Sequence, residues 1–272
     1  MAADMTPAPG AWPAQRRAVV DGWKFYDITH RNHVICNPMS HARLDEVIGL
    51  LDLPPRPRVL DVGSGKGEFV VRMAERWGGA QGEGFGAVAI DISPFFVAEF
   101  RRAAANRVPR AALEILEQDA AAYSPAPASF DLASCVGATW VYGGYEGTLS
   151  ALAAAVRPGG QVLVGEPFWR REPDPAYLEA SGMHREEFGT HASNVSAGQD
   201  QGLVPLFAFV STDEEWDRYE TLQWLGSARY AAAHPDDPDL PEVMDRVERS
   251  RREYLTWGRD TLGWALYLFR RP

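Results

Sequence analysis

The sequence predicts an α/β protein built on a doubly wound, parallel sheet. From residue 58 onward, short β-branched runs alternate with segments of helical periodicity, which is typical of strand–helix–strand units. A glycine-rich turn follows the first of these runs. The chain has 272 residues, 46% of them hydrophobic and 24% charged, which is enough for one α/β domain with insertions.

The residues before the sheet divide into two parts. Residues 1–15 are rich in Ala and Pro and predict a flexible N-terminus. Residues 16–57 form an N-terminal helical segment, in which apolar residues recur at helical spacing across 41–51 and the prolines that follow end the helix. Residues 58–272 are predicted to form the main domain.

Seven strands and their connecting helices follow in this order. Strands are predicted at 58–62, 87–92, 113–116, 130–136, 161–165, 203–210 and 262–269. Helices are predicted at 68–77, 94–106, 147–156, 213–233 and 239–258. Residues 167–200, rich in Pro, Glu, His and Ser, are predicted to be an insertion of loops and a short helix. The two helices at 213–258 form a second insertion before the last strand.

Composition excludes several classes of function. The net charge of −10 argues against a nucleic-acid enzyme, which needs Lys and Arg for phosphate contacts. No apolar run is long enough to span a membrane, and residues 1–15 lack the apolar core of a signal peptide, so we expect a cytoplasmic protein. The two cysteines suggest neither a disulfide framework nor a zinc site, and no metal is predicted.

The strongest functional signal is the turn after the first strand, where Gly63, Gly65 and Gly67 are spaced at every second residue. Such glycines let the backbone approach a ligand closely, and the following helix N-terminus favours a phosphate or a carboxylate. The dinucleotide fingerprint would need a third glycine where Glu68 stands. The phosphate-binding loop of nucleoside triphosphatases would need Ser or Thr after Lys66.

The ends of the next three strands add polar and small residues. Asp91 ends the second strand, where a carboxylate can accept two hydrogen bonds from a ribose diol, so this position indicates a nucleoside. Asp119 follows the third strand and suits the exocyclic amine of adenine. Cys135, Val136 and Gly137 end the fourth strand, at the sheet edge where open α/β sheets bind ligands.

In this order the segments VLDVGSGKG, AIDIS, EQDA, FDLASCVGA and RPGGQVLVGE resemble the successive motifs of class I S-adenosylmethionine (SAM)-dependent methyltransferases, in their small-molecule branch. The resemblance covers residues 58–166. It implies a Rossmann-like sheet of seven strands with an antiparallel last strand and helical lid insertions. It also implies SAM as cofactor and methyl transfer by in-line displacement to an O, N or C atom of a small molecule.

The resemblance also implies a set of cofactor-binding residues. Asp61 and residues 63–67 would contact the methionine part, Asp91 the ribose and Asp119 the adenine. The whole set is Asp61, Gly63, Ser64, Gly65, Lys66, Gly67, Asp91, Ile92, Asp119, Ala120, Cys135, Val136 and Gly137. About 30 residues separate Asp61 from Asp91, more than the family's usual gap, and the glycine-rich stretch 78–86 accounts for the excess as a surface insertion.

For the acceptor, the resemblance places residues 25–33, 139–145 and 166–170 over the pocket. Aromatic residues in the last two segments are predicted to bind substrate, or alternatively to anchor the lid: Trp140, Tyr142, Phe168 and Trp169. Glu166, His30 and His33 are candidates for a general base, which helps when the acceptor is a hydroxyl or a protonated amine.

Two other functions remain open at this stage. A nicotinamide-dependent oxidoreductase has a similar early sheet, although Glu68 and the position of Asp119 disfavour it. A SAM-binding regulator without catalytic activity is the second. The expected partner is a small-molecule methyl acceptor, with no nucleic acid and no membrane, and the chain is predicted to be a monomer or a homodimer. The identity of the acceptor is not readable from the sequence.

Overall fold

The structure, a computed structural model, describes residues 21–272, so the predicted flexible stretch 1–15 lies outside the described residues. The helices are Gly22–His30 (α1), His41–Leu50 (α2), Glu68–Gly78 (α3), Pro94–Arg107 (α4), Tyr145–Ala155 (α5), Pro175–Ser181 (α6), His191–Asp200 (α7), Asp213–Ala233 (α8) and Leu240–Glu253 (α9). The strands are Arg58–Val62 (β1), Gly86–Asp91 (β2), Ala112–Glu117 (β3), Phe130–Val136 (β4), Val156–Trp169 (β5), Val204–Val210 (β6) and Leu262–Arg270 (β7).

The seven strands form one sheet in the order β3-β2-β1-β4-β5-β7-β6. The pairs β1–β2, β2–β3, β1–β4 and β4–β5 are parallel, whereas β7 runs antiparallel to both β5 and β6. The strand order reverses beside β1, which brings the carboxyl ends of β1 and β4 next to each other at the point where such sheets bind ligands. The predicted fold class, with its antiparallel last strand, is confirmed.

Helix ends follow from local sequence chemistry. Ser93 caps α4 by accepting a hydrogen bond from the Phe96 backbone N–H at 3.4 Å, and Pro94 supplies a first helical residue that needs no N–H partner. Thr212 and Glu215 form a reciprocal capping box at the start of α8. These caps fix where the helices begin relative to the strand ends.

The two faces of the sheet pack against different helices. Leu163 of β5 joins a core with residues of α2, α3 and α4, whereas Val164, the next residue, packs on the opposite face with α5. Successive side chains of a strand point to opposite faces, so this alternation decides which β5 residues reach a site on the first face.

Most boundaries lie within two residues of the sequence prediction, and three segments differ more. Strand β5 runs from Val156 to Trp169, not from 161 to 165, because its far end pairs with β7 as far as Trp169 opposite Leu262. The turn-forming residues 157–160 are accommodated as a register shift against β4. The insertion at 167–200 contains two helices, α6 and α7, where one short helix was predicted. The predicted helix 239–258 ends at Glu253 and continues as a π-helical turn, Tyr254–Gly258.

Residues 21–272 contain neither a membrane-spanning helix nor a cluster of metal ligands. No helix in that range is both long and apolar enough to cross a lipid bilayer. Within the same range, no group of three His, Cys, Asp or Glu side chains is arranged to hold a metal ion.

Candidate active site

A cavity of about 760 Å³ lies on the α2–α3–α4 face of the sheet, at the carboxyl ends of the central strands. One part is lined by residues at the ends of β1, β2, β3 and β4, and we call it the loop end. The other part, the helical end, is lined by residues of α6, α8 and α9 together with the π-helical turn. Trp264 of β7 and Val136 of β4 lie between the two parts. Both line the cavity, and both would contact a Cβ placed on Gly165.

The glycines of the loop end adopt conformations that other residues rarely take. Gly63, Gly65 and Gly67 have φ of +68°, +53° and +76°. A Cβ on Gly67 would lie 2.1 Å from the Phe100 ring, so this glycine lets α3 and α4 approach each other. A Cβ on Gly65 would meet nothing within 4 Å. Gly65 therefore leaves open space over the loop where a ligand can lie against the backbone.

Two carboxylates at the loop end retain hydrogen-bonding capacity. Asp91 accepts the Gly65 N–H at 2.7 Å with Oδ2 and the Ser93 N–H at 2.8 Å with Oδ1. Each carboxylate oxygen offers about two lone pairs, so both can accept one further hydrogen bond. Asp119 accepts the Ala121 N–H at 2.9 Å with Oδ1, and no donor among the described residues reaches its Oδ2.

Two further charged residues lie below the glycine loop. Asp61 is buried and accepts the Ser134 hydroxyl at 2.6 Å, and its burial raises the pKa of the carboxyl to about 7, with a contribution from the charge of Asp91. Lys66 is also buried and donates to the His30 carbonyl at 2.9 Å, with Glu99 at 3.1 Å as its ion-pair partner. The loop end thus combines acceptors for several ligand hydrogen bonds with one neutralised cation.

The helical end is aromatic and acidic. Its lining includes Tyr177, Trp216, Tyr219, Tyr254 and Trp264 together with two glutamates, Glu220 and Glu253. Burial raises the pKa of Glu220 to about 8. The indole N–H of Trp216 lies close to Glu220, one helical turn earlier, and opposes this rise without reaching hydrogen-bonding geometry. Burial raises the pKa of Glu253 as well, and the charge of Arg249 opposes it.

Comparison with known proteins agrees with this geometry. Residues 59–160 match the family described as a methyltransferase domain. YjhP of Escherichia coli is 33% identical over 246 residues, spanning 90% of this chain and 96% of that protein. A SAM-dependent methyltransferase from Geobacter sulfurreducens, solved in complex with S-adenosyl-L-homocysteine, is 30% identical with a TM-score of 0.81, covering 92% of this chain and 98% of that one.

The chain belongs to the class I SAM-dependent methyltransferases. It is therefore an enzyme, and SAM is its cofactor. A shorter match links the methyltransferase to the trans-aconitate 2-methyltransferase of Paracidovorax citrulli, 32% identical over 147 residues, which cover 50% of this chain and 52% of that protein.

The methyltransferase brings most of the predicted cofactor residues to one cavity wall. Those that line it are Asp61, Gly63, Ser64, Gly65, Lys66, Gly67, Asp91, Ile92, Asp119, Ala120, Val136 and Gly137. Cys135 does not: it is fully buried in the core on the opposite face of the sheet, because it alternates with Val136 along β4. The prediction for Cys135 is corrected accordingly.

Of the four predicted acceptor aromatics, only Trp140 lines the cavity. Phe168 points to the opposite face of the sheet and fills the space above Gly263. Tyr142 packs against that same core. Trp169 lies on the cavity face but beyond it, packing edge-on against Tyr177 and Phe188 while its indole N–H donates to the Arg185 carbonyl at 2.9 Å. These three residues pack within the fold and do not line the cavity.

Glu166 also lies on the far side of β5, and the prediction of a catalytic role for it is corrected. Pro167 lines the cavity, and its neighbours Glu166 and Phe168 alternate away from it. The Glu166 carboxylate accepts the Thr139 hydroxyl at 2.7 Å. Burial raises its pKa to about 8.

The two predicted histidines connect helices. His30 lines the cavity, yet its ring nitrogens contact the Thr29 hydroxyl and the Tyr219 hydroxyl, both at 2.9 Å. His33 does not line the cavity, and its Nε2 donates to the Tyr219 carbonyl at 2.9 Å. Burial lowers the pKa of both rings, that of His33 to about 4, so both are neutral near pH 7. Both ring nitrogens of His30 and Nε2 of His33 are engaged in these contacts. Nδ1 of His33 has no hydrogen-bond partner among the described residues, and it is buried.

The acidic helical end was not predicted from the sequence. The available signal was the position of Glu220, four residues after Trp216 and next to Tyr219, which places an acid on the aromatic side of α8.

Proposed function

We propose that the enzyme transfers the methyl group of SAM to a small molecule, with the cofactor in the loop end of the cavity and the acceptor in the helical end. The observation that supports this most directly is the continuity of one cavity across both ends. Its volume of about 760 Å³ falls within the roughly 300–1,000 Å³ typical of small-ligand sites.

The loop end fits SAM in shape and in hydrogen-bonding chemistry. The open space over Gly65 accommodates the methionine part against the backbone, and Asp61 would face its ammonium group. The spare lone pairs of Asp91 would accept the ribose hydroxyls, and Oδ2 of Asp119 would accept the adenine amine. Ile92 and Val136 would provide apolar surface for the ring system. When bound, SAM supplies a methyl group on a positively charged sulfur.

The protein's own contribution would be positioning and exclusion of water. Residues 34–39, between α1 and α2, line the cavity and cover the loop end. Asn37 approaches Gly137 so closely that a Cβ there would lie 2.5 Å from Oδ1. In-line displacement gains much of its rate from alignment of the two reactants, so a preformed cavity that holds both of them would supply a large part of the acceleration.

The cavity does not suit the acceptor for which the Paracidovorax relative is named. That protein is named for trans-aconitate, a molecule with several carboxylates, which calls for cationic partners. Among residues 21–272, no arginine lines the cavity, and the one lysine that does, Lys66, is paired with Glu99.

The test is calorimetric titration with S-adenosyl-L-homocysteine, followed by measurement of its production from SAM with panels of small molecules, peptides and nucleic acids. Asp91→Ala is expected to weaken binding at least about tenfold, since it removes both ribose acceptors and the support of Gly65. Asp236→Ala, at an exposed site away from the cavity, is the control. Unchanged affinity in Asp91→Ala, or methyl transfer to polymers alone, would contradict the proposal.

A further inference from the structure

Glu220 and Glu253 place two carboxyl groups in the helical end without a cation to neutralise them. Within residues 21–272, no Lys, Arg or His nitrogen lies within 4.0 Å of either carboxylate. Removing a carboxylate from water is costly unless a positive charge or several hydrogen bonds replace the solvent. A positively charged ligand in this part of the cavity would therefore stabilise the ionised form of both groups.

Several aromatic residues line the cavity together with Glu220. Its charge contributes to the raised pKa of three phenols, Tyr177, Tyr219 and Tyr254, which line the same end of the cavity. Trp216 lies close on the same helix. Electron-rich aromatic faces around a carboxylate are the arrangement that binds an ammonium group, through charge and through cation–π contacts.

The charge of the whole cavity points the same way. Its other acidic lining residues belong to the loop end or are already paired: Asp61, Glu68, Asp91 and Asp119. Glu68 holds Arg72 and Arg107 at 2.6 Å each. Lys66 is neutralised by Glu99, and burial keeps His30 uncharged. In the part of the wall that the structure describes, an anionic acceptor would thus find no free cation, whereas a cationic one would find two carboxyl groups without a cationic partner and would stabilise their ionised forms.

Resting on the methyl transfer proposed above, we propose that the acceptor is an amine with an apolar body, and that Glu220 binds its ammonium group and takes one proton from it. Glu253 adds negative charge at the same end of the cavity. The rings of Trp216, Tyr254 and Trp264 pack the apolar body.

The proton and electron balance of this step is simple. The ammonium group gives one proton to the Glu220 carboxylate, which leaves a lone pair on nitrogen. That lone pair forms the new nitrogen–carbon bond to the methyl group, and the pair of the broken carbon–sulfur bond stays on sulfur, converting the sulfonium to a thioether. The product is an N-methylammonium ion, and Glu220 returns its proton to solvent when the product leaves.

The experiment compares acceptors that differ only in their terminal group. Phenethylamine, phenethyl alcohol and phenylpropionate share one skeleton, and the matching cyclohexyl and indolyl sets extend the panel. Binding to the full chain saturated with S-adenosyl-L-homocysteine is measured by calorimetry, and methyl transfer from SAM by mass spectrometry. The variants are Glu220→Gln, Glu253→Gln and, as a matched control on an exposed position of α8, Glu214→Gln.

We expect an amine to bind at least tenfold more tightly than its alcohol and carboxylate counterparts and to gain methyl groups on nitrogen. Glu220→Gln should lower amine affinity at least tenfold with unchanged affinity for S-adenosyl-L-homocysteine, Glu253→Gln should lower it less, and Glu214→Gln not at all. Preference for an alcohol or a carboxylate, or no preference for any amine in the unsubstituted protein, overturns this inference while S-adenosyl-L-homocysteine binding still supports the proposed function. Loss of that binding in the unsubstituted protein would instead overturn the proposed function.

Discussion

Two glycines of the loop have different tasks at the residue scale. Gly67 lies against Phe100 and Gly65 faces open space, although both have positive φ. An alanine at either position carries about 1–2 kcal/mol of backbone strain. At Gly67 the new Cβ also collides with a buried ring, which adds roughly 1–3 kcal/mol of overpacking.

Gly67→Ala is therefore expected to destabilise the protein by about 2–5 kcal/mol, and Gly65→Ala by about 1–2 kcal/mol. Gly65→Ala should instead weaken binding of S-adenosyl-L-homocysteine, since its methyl group enters the space left for the ligand. Urea unfolding and calorimetry on both variants check the pair. The opposite ranking in either measurement would contradict the roles given to the two residues.

Asp61 links stability to pH. Its pKa in the folded protein is about 7, above the ordinary 3.8, so its contribution to stability is present below 3.8 and is lost as the pH rises toward 7. The asparagine variant does not ionise and keeps an acceptor for Ser134. We expect Asp61→Asn, without ligand, to gain stability relative to the unsubstituted protein as the pH rises through this window, by on the order of 2–4 kcal/mol in total. Parallel curves of melting temperature against pH would refute this.

At the scale of elements, a buried polar contact joins α1 to α8. The Tyr219 hydroxyl and carbonyl meet His30 and His33, and Lys66 of the glycine loop donates to the His30 carbonyl. The helix that carries Glu220 is thus connected through α1 to the loop that holds the cofactor in our proposal. Burial within this contact keeps both rings neutral near pH 7.

Tyr219→Phe tests this contact. It leaves the His30 ring nitrogen buried without its partner, and we expect a loss of about 1–3 kcal/mol in unfolding free energy. Tyr145→Phe is the control, because the Tyr145 hydroxyl is buried and has no hydrogen-bond partner among the described residues. Its removal should cost less than about 0.5 kcal/mol. Equal effects of the two substitutions, followed by chemical unfolding, would show that the histidine contact is not stabilising.

At the scale of the whole molecule, the lining of the cavity comes from many elements that are distant from one another in the sequence. Strand ends, α1, α2, α6, α8 and the π-helical turn all contribute lining residues. A ligand that binds only the folded state adds about 2.7 kcal/mol at a concentration of one hundred times its dissociation constant. For a protein of this size that corresponds to a rise of roughly 5–10 °C in melting temperature.

S-adenosyl-L-homocysteine is therefore expected to raise the melting temperature by this amount and to slow hydrogen exchange in two segments, 34–39 and 214–223. Differential scanning calorimetry and exchange mass spectrometry give the two readings. Protection confined to the glycine loop would contradict a cavity bounded by both segments.

Much of the fold and of the loop end could be predicted because each rests on local pattern. Strand–helix alternation specified the sheet, and Gly63, Gly65, Gly67, Asp91 and Asp119 stand at strand ends, which parallel strands bring to one edge. What local pattern does not contain is the direction of each side chain once β5 is extended by pairing with β7. A shift of one residue separates Pro167 in the cavity from Glu166 and Phe168 behind the sheet.

The sequence by itself determined the family, the cofactor and the strand ends where a ligand binds, because these depend on residue types at short spacing. Only the tertiary structure decided the helical end. Glu220 and Tyr177 lie more than 40 residues apart in the sequence, and neither carries a local signature. Their meeting depends on the packing of α6, α8 and α9 over the sheet, a long-range arrangement that short-range periodicity does not encode.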